Sequence, residues 1–342
     1  MIIKAIKTIK TTGIGRRRFL SQAVAATTAA GAAMAMPQRQ VRAAEPPLPP
    51  PVIDTHTHFF DPTRPEGVPW PGKGGDLYRP VLPAEWQTLV KPLGVTGTVV
   101  VEASSWLEDN QWLLDLAARH DSERLPGMLG VVGVVGSLPL GDPICAGAID
   151  RFAKQKLYRG IRVNGDKLLA GLADKDYAAD VGRFVAHDLS IDINGGKVFA
   201  AAAAAAAQFP SLRIIVNHMG NTPVSDKGPV PEWRESIKLA AQHPNVFMKV
   251  SALAENAAHT MKLQKAPLDP AFYVPWLDAA WAAFGEKRLM YGSNWPVSNK
   301  ASSYAEVLDI VKPYVARKGP EAERWFYAEA SRAAYRWVEP KT

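Results

Sequence analysis

Eight short apolar runs, each followed by a stretch with hydrophobic residues at helical spacing, order the chain from residue 52 onward. The runs are 52–60, 96–104, 126–135, 158–164, 189–194, 212–218, 246–252 and 288–294. Between them Trp112, Leu113, Leu116 and Ala117, then Ile149, Phe152 and Ala153, then Trp276, Leu277, Ala280, Trp281 and Phe284 recur at intervals that put them on one helical face. Strands that are apolar throughout bury both faces, and a helix between successive strands makes them parallel. Eight such units in about 290 residues match the count and size of a (β/α)8 TIM barrel. The expectation is therefore an α/β chain with one barrel domain, 52–342, whose last helix, 321–337, packs beneath or beside the barrel. An open doubly wound sheet is the alternative. It needs a glycine-rich phosphate turn after the first strand, where this chain has Phe59-Phe60-Asp61-Pro62.

The segment before the barrel has a different character. Residues 1–43 run from a basic head (Lys4, Lys7, Lys10, Arg16, Arg17, Arg18) through a mild alanine-rich stretch to small-residue cut sites after Ala35 or Ala43. A proline-rich linker, 44–51, follows. Arg16-Arg17-Arg18-Phe19-Leu20 resembles a twin-arginine export signal, with Gly15 where Ser or Thr is usual and Ser21 where Lys is common. Ser21, Gln22, Thr27 and Thr28 leave the apolar part too weak and too short for a stable membrane span of about 20 residues. The resemblance implies the twin-arginine translocation machinery as a partner, and a periplasmic or secreted product.

Cleavage changes the charge. Residues 1–43 hold eight Lys or Arg and no acid, so a formal +7 becomes −1 after a cut at Ala43, and +1 after a cut at Ala35. The basicity belongs to the leader and gives no ground for a nucleic-acid or anionic-membrane partner. A single cysteine, Cys145, excludes an intrachain disulfide and a multi-cysteine metal site. It lies in an apolar helical stretch and reads as a small buried hydrophobe.

Candidate chemistry sits at the carboxyl ends of the strands, where a barrel of this kind builds its active site. His56 and His58, two apart on the first strand, share a face, with Ile53 and Thr55 expected on the other. Later strands end in Glu102 and Ser104, Arg162 and Asn164, Asp192 and Asn194, His218, Lys249 and Ser251, and Asn294. A barrel interior holds this many polar groups only if they pair or are used. Arg162 with Glu102, and Lys249 with Asp192, can each be read as a structural ion pair instead of a binding group. The first loop, 61–83, is long and rich in Pro and Gly and reads as a lid carrying Trp70. Trp106 and Trp295 follow strands two and eight, at the rim. The low-complexity run 200–207 reads as an outer helix without function.

Asp54-Thr55-His56-Thr57-His58, Gly160-Ile161-Arg162, Ile215-Val216-Asn217-His218-Met219-Gly220, Lys249-Val250-Ser251 and Tyr291-Gly292-Ser293-Asn294-Trp295-Pro296 together resemble the amidohydrolase superfamily. The branch they are most similar to holds sugar lactonases, pyrone-dicarboxylate lactonases and non-oxidative decarboxylases. The resemblance implies a hydrolase of a small organic molecule, first a lactone bearing a carboxylate or hydroxyls. A decarboxylase of an aromatic or unsaturated acid and a non-catalytic binding barrel are the alternatives. It implies catalytic roles for His56, His58, His218 and Asn294, and substrate contacts from Arg162, Lys249, Glu102, Asn164, Trp70 and Trp295. One divalent ion, Zn or Mn, on His56, His58 and His218 is the implied cofactor, with a metal-free site as the rival. Asn294 stands where the family commonly has Asp, and an amide brings neither charge nor basicity. His218, then Asp192, are the candidates for the displaced base. A small-molecule substrate is the expected partner, and self-assembly into a homo-oligomer stays open.

Overall fold

A computed structural model describes residues 50–337 and 339. The export signal, and all of the linker but its last two residues, lie outside them. All eight expected strands form: β1 Ile53–Thr57, β2 Gly97–Val101, β3 Gly130–Gly136, β4 Tyr158–Asn164, β5 Ser190–Asn194, β6 Arg213–Val216, β7 Val246–Val250 and β8 Leu289–Tyr291. They pair in parallel, in sequence order. A parallel bridge between Thr57 and Trp295, with the His58 amide donating to the Trp295 carbonyl at 2.9 Å, joins the end of β1 to the chain just after β8. The single domain is thus an eight-stranded parallel barrel with helices between the strands.

Asp54 fastens that seam. Its carboxylate accepts from the Ser293 amide (2.8 Å), the Ser293 hydroxyl (2.5 Å), the Tyr304 hydroxyl (2.9 Å) and the His56 amide (3.0 Å). The acid of the first motif and the serine of the last are therefore one device, which fixes where both motifs' reactive neighbours stand.

The lower half of the barrel is filled by Ile53, Val99, Val101, Ile215, Phe247 and Met290, packed on Ala334 and Tyr335 of the final helix, which ends at Tyr335 and not at 337, and on Trp337 just beyond it. That helix closes the amino end: Arg213 Nε donates to the Ala334 carbonyl at 2.7 Å, and the Tyr335 hydroxyl reaches Asp192 Oδ1 at 2.9 Å. The run 200–207 lies in the helix Val198–Gln208, mostly buried after β5. Cys145 is buried, and burial pushes its thiol up to about 12.

Strict alternation fails in β1. Ile53 packs inside the barrel, on the same side as His56, although the two are three positions apart and strict alternation would put them on opposite faces. The reason is a register shift against β2 between Asp54 and Thr57, where Thr55 and His56 together face the single residue Val99. Such a bulge re-aims the side chains beyond it.

Candidate active site

The polypeptide turns sharply at the carboxyl ends of β6, β7 and β8. His218 (φ 56°), Ala252 (φ 56°) and Asn294 (φ 59°) all hold left-handed backbone without being glycine. Such conformations cost about 1–3 kcal/mol each and collect where a side chain must be aimed. Here they surround one cavity of about 460 Å³, a size that suits a small organic ligand. His58, His218, Arg162, Trp70 and Asn294 line it, together with Asn194, Asn221, Glu255 and Asn256.

Three imidazoles converge as the sequence implies. The ring centre of His56 lies 4.9 Å from that of His58 and 4.3 Å from that of His218. All three are buried, and burial holds each below the usual histidine range, His58 at about 3. They are neutral at physiological pH, so the hydrogen-bond partner of one ring nitrogen decides what the other can do. His58 Nδ1 faces the Val101 carbonyl at 2.9 Å and must donate, which leaves a lone pair on Nε2. His218 Nδ1 meets the Ser251 hydroxyl at 2.9 Å, a partner for either tautomer.

His56 is different. Its Nδ1 lies 3.2 Å from Lys249 Nζ, which lies 2.7 Å from Asp192 Oδ2, and both charged groups are fully buried. Burial lowers the Lys249 pKa and the Asp192 contact pulls it back up; as the ammonium, Lys249 donates to Asp192, which also accepts from the Tyr335 hydroxyl. An ammonium can only donate, so Nδ1 of His56 is the acceptor and the proton sits on Nε2. That Nε2 is buried without a hydrogen-bond partner. In this tautomer it is an N–H without an acceptor; His56 itself is fully buried and does not line the cavity, standing behind His58 and His218, which do.

A three-histidine metal set needs three lone pairs directed at one point. His56 offers a proton instead, and Asn294 adds no charge. Among the described residues no cluster of three or more His, Cys, Asp or Glu is arranged to hold an ion. With the His56 proton on Nε2, the three rings offer two lone pairs where a divalent ion on His56, His58 and His218 needs three.

Several other expectations are corrected. Lys249 does not reach the cavity; it is the buried partner of Asp192. Asp192 is not a base for water, because Lys249 and Tyr335 occupy both its oxygens. Asn164 caps the helix Gly165–Gly171 by accepting from the Lys167 amide, outside the cavity. Trp295 is buried against Phe59 at a ring distance of 6.3 Å, and Trp106 is exposed; neither lines the cavity. Glu102 holds Arg162, with Oε1 2.8 Å from Nε and its carbonyl 2.9 Å from Nη2, so it steers the guanidinium and does not line the cavity itself. Trp70 does stand over the site, 6.1 Å from the His58 ring.

Sequence reasoning missed Asn221, Asn256 and, as the one titratable group among them, Glu255. Its Oε1 accepts from Asn294 Nδ2 at 2.9 Å, and its Oε2 is buried without a partner. Burial pushes the carboxyl up to about 7, against the pull of the Asn294 bond. The signal was its distance, four residues past Ser251 at the end of β7, beside Asn256 in a helix whose buried residues are Leu253, Ala254, Ala257 and Ala258.

A family model described as amidohydrolase matches residues 53–337. The chain is 31% identical to an L-fucono-1,5-lactonase of Burkholderia ambifaria over 74% of its length and 83% of the relative's. It is 30% identical to an L-fucono-1,5-lactonase of Burkholderia multivorans over 80% of its length and 91% of the relative's. A crystal structure of a Burkholderia multivorans amidohydrolase with bound zinc superposes with a TM-score of 0.72 at 27% identity, covering 84% of this chain and 100% of that one.

Proposed function

Because this chain belongs to the amidohydrolase family, and is a hydrolase, we propose that it opens the cyclic ester of a sugar-type lactone, a ring rich in hydroxyl groups. The observation that carries this reading is the make-up of the cavity wall. Asn194, Asn221, Asn256 and Asn294 line the cavity; Asn221 donates to Asn194 Oδ1 and Asn294 to Glu255, and the amide groups left over supply both donors and acceptors, as hydroxyls require. The one cation on the wall is Arg162, already matched by Glu102, and Lys249 is sealed below. A polycarboxylate lactone needs more unmatched positive charge than this. The lactonase names of two relatives at about 30% identity support the same bond type.

In this reading the lactone carbonyl reaches between His58 and His218 to take the place of the missing partner of His56 Nε2. The N–H, fixed by Lys249 before substrate arrives, stabilises the oxyanion that forms when water attacks. His58 and His218 flank the same point, Arg162 holds a ring or chain oxygen, and Trp70 covers the sugar face. No step runs through a metal.

A pH-indicator assay over sugar 1,5- and 1,4-lactones, with a pyrone dicarboxylate lactone and hydroxybenzoates as controls, tests the assignment. Turnover confined to sugar lactones is expected. Preference for the dicarboxylate, or carbon dioxide release from a benzoate without any lactone turnover, refutes it. Export by the twin-arginine route to the periplasm or medium is proposed on the composition of residues 1–43 alone. Fractionation of cells carrying Arg16→Lys/Arg17→Lys/Arg18→Lys, which should strand the protein inside, tests it.

A further inference from the structure

We propose that Glu255, held by Asn294, is the group that takes the proton from the attacking water and later returns it to the departing ring oxygen. The inference rests on the lactone reading and adds the proton carrier that the histidines do not supply.

Among the described residues Asp54 and Asp192 are the carboxylates buried within the barrel, and both are saturated; Glu255 lies half-buried at its mouth. Asp54 accepts four hydrogen bonds across the seam, and Asp192 accepts from Lys249 and Tyr335. Glu255 has one oxygen engaged by a neutral amide and the other buried with no partner. Among the described residues it has no ion-pair partner. A carboxylate kept this way is costly to hold for structure alone. Its position is also built: Ala252, with φ 56°, breaks the line of β7 so that the helix Leu253–Met261 begins at the cavity, and Ala252, Glu255 and Asn256 face into it together.

The titratable and charged groups facing Glu255 are few. Tyr273, from the helix Pro270–Phe284, and Tyr291, from β8, feel its charge; His58, His218 and Arg162 lie on the same cavity. The histidines are weak bases in this setting, since burial and the nearby Arg162 and Lys249 depress them. Glu255 is displaced the other way, toward the pH at which a base is both ionised and strong enough to act.

The step balances. Ionised Glu255 accepts one proton from water as the water oxygen bonds to the carbonyl carbon, and the carbonyl π pair moves onto oxygen facing His56 Nε2–H. On collapse the ring C–O bond breaks, and the leaving oxygen takes the proton from Glu255. The product is one hydroxy acid, and Glu255 is ionised again. Asn294 positions the carboxylate by donating to Oε1, which leaves Oε2 as the proton-accepting oxygen.

The test uses the full chain and the sugar lactone that the wild type turns over best. Glu255→Gln is expected to lower kcat about 10²–10³-fold, the usual size of a general-base effect, with KM within about threefold. The acid limb of kcat/KM near pH 7 is expected to vanish, and Glu255→Asp to recover about tenfold over Gln. Circular dichroism and binding of the hydroxy-acid product verify that both variants fold. Wild-type kcat in Glu255→Gln overturns the proposal, as does a rise in KM alone with the acid limb intact, which makes Glu255 a hydroxyl-binding group. Carbon-13 NMR of labelled glutamate, read as the difference between wild type and Glu255→Gln, needs no substrate, and a carboxyl titrating near pH 4 overturns it too. If the wild type opens no lactone while that signal titrates near pH 7, the substrate reading fails and not the placement of Glu255.

Discussion

Lys249 Nζ stands 2.7 Å from Asp192 Oδ2 and 3.2 Å from His56 Nδ1, so one buried cation links the ion pair inside the barrel to its reactive rim. Through Tyr335, which bonds Asp192, the final helix takes part in the same chain of contacts. Lys249→Met strands a buried carboxylate, and unfolding in urea should show a loss of about 3–5 kcal/mol. Asp192→Asn/Lys249→Met removes both charges and should recover most of that stability. Activity should stay at least about tenfold down in the double variant, because His56 is then free to carry its proton on Nδ1. A stable double variant with wild-type kcat refutes the tautomer assignment; nitrogen-15 shifts of the His56 ring read it directly.

Metal removal separates the same assignment from its rival. With the His56 proton on Nε2, dialysis against a strong chelator should leave kcat/KM within about twofold, since the remaining donors fall short of a three-ligand site. Loss of activity on chelation, restored by stoichiometric zinc or manganese, contradicts it.

Glu255 also marks stability with pH. Its carboxyl is raised by burial to about 7 in the fold, above the value near 4.3 of an unfolded chain. The folded state holds the proton more tightly, so this contribution is fully present below about pH 4 and is lost as pH rises through about 7. Glu255→Gln should therefore be more stable than wild type at pH 8.5, by on the order of 3 kcal/mol, with the gap narrowing toward pH 4. Urea midpoints at both pH values measure it, and a gap that does not change with pH argues that the carboxyl is not raised.

The barrel was legible because its strands are buried on both faces, so hydrophobic runs and strands coincide, and the histidines were legible because strand ends are fixed positions in such a barrel. What escaped depends on local backbone. The β1 bulge puts Ile53 and His56 on one side, against a simple alternation of two. Lys249 and Asp192 read equally as substrate contacts or as a pair, and only their depth, with Tyr335 beneath them, decides it. Glu255 sits in the first turn of a helix, where an acid is the ordinary choice to face the helix dipole. Nothing in the chain announces that Ala252 adopts a left-handed turn that aims it inward.

Arg162 is predicted to act through geometry more than charge. Glu102 grips its guanidinium by two atoms, leaving the rest of the fork toward the cavity. Arg162→Lys keeps the charge and loses the fork, and it should raise KM about tenfold with kcat nearly unchanged. Equal losses in kcat and kcat/KM would instead place the arginine at the oxyanion.

Asn294→Asp gives the sharpest contrast, because it sets an acid directly beside Glu255. The new carboxylate would stand 2.9 Å from Glu255 Oε1, at the distance where two carboxylates cannot both ionise cheaply. The pair would hold one proton through neutrality and titrate as a unit. At pH 7 kcat/KM should fall at least about tenfold, recovering toward pH 9, and the acid limb should move up by about one unit or more. Asn294→Ala, which removes the positioning bond but adds no charge, should cost activity without moving the limb upward. A variant with aspartate that outperforms the wild type at pH 7 would mean that the position wants an acid of its own, and that Glu255 does not carry the proton.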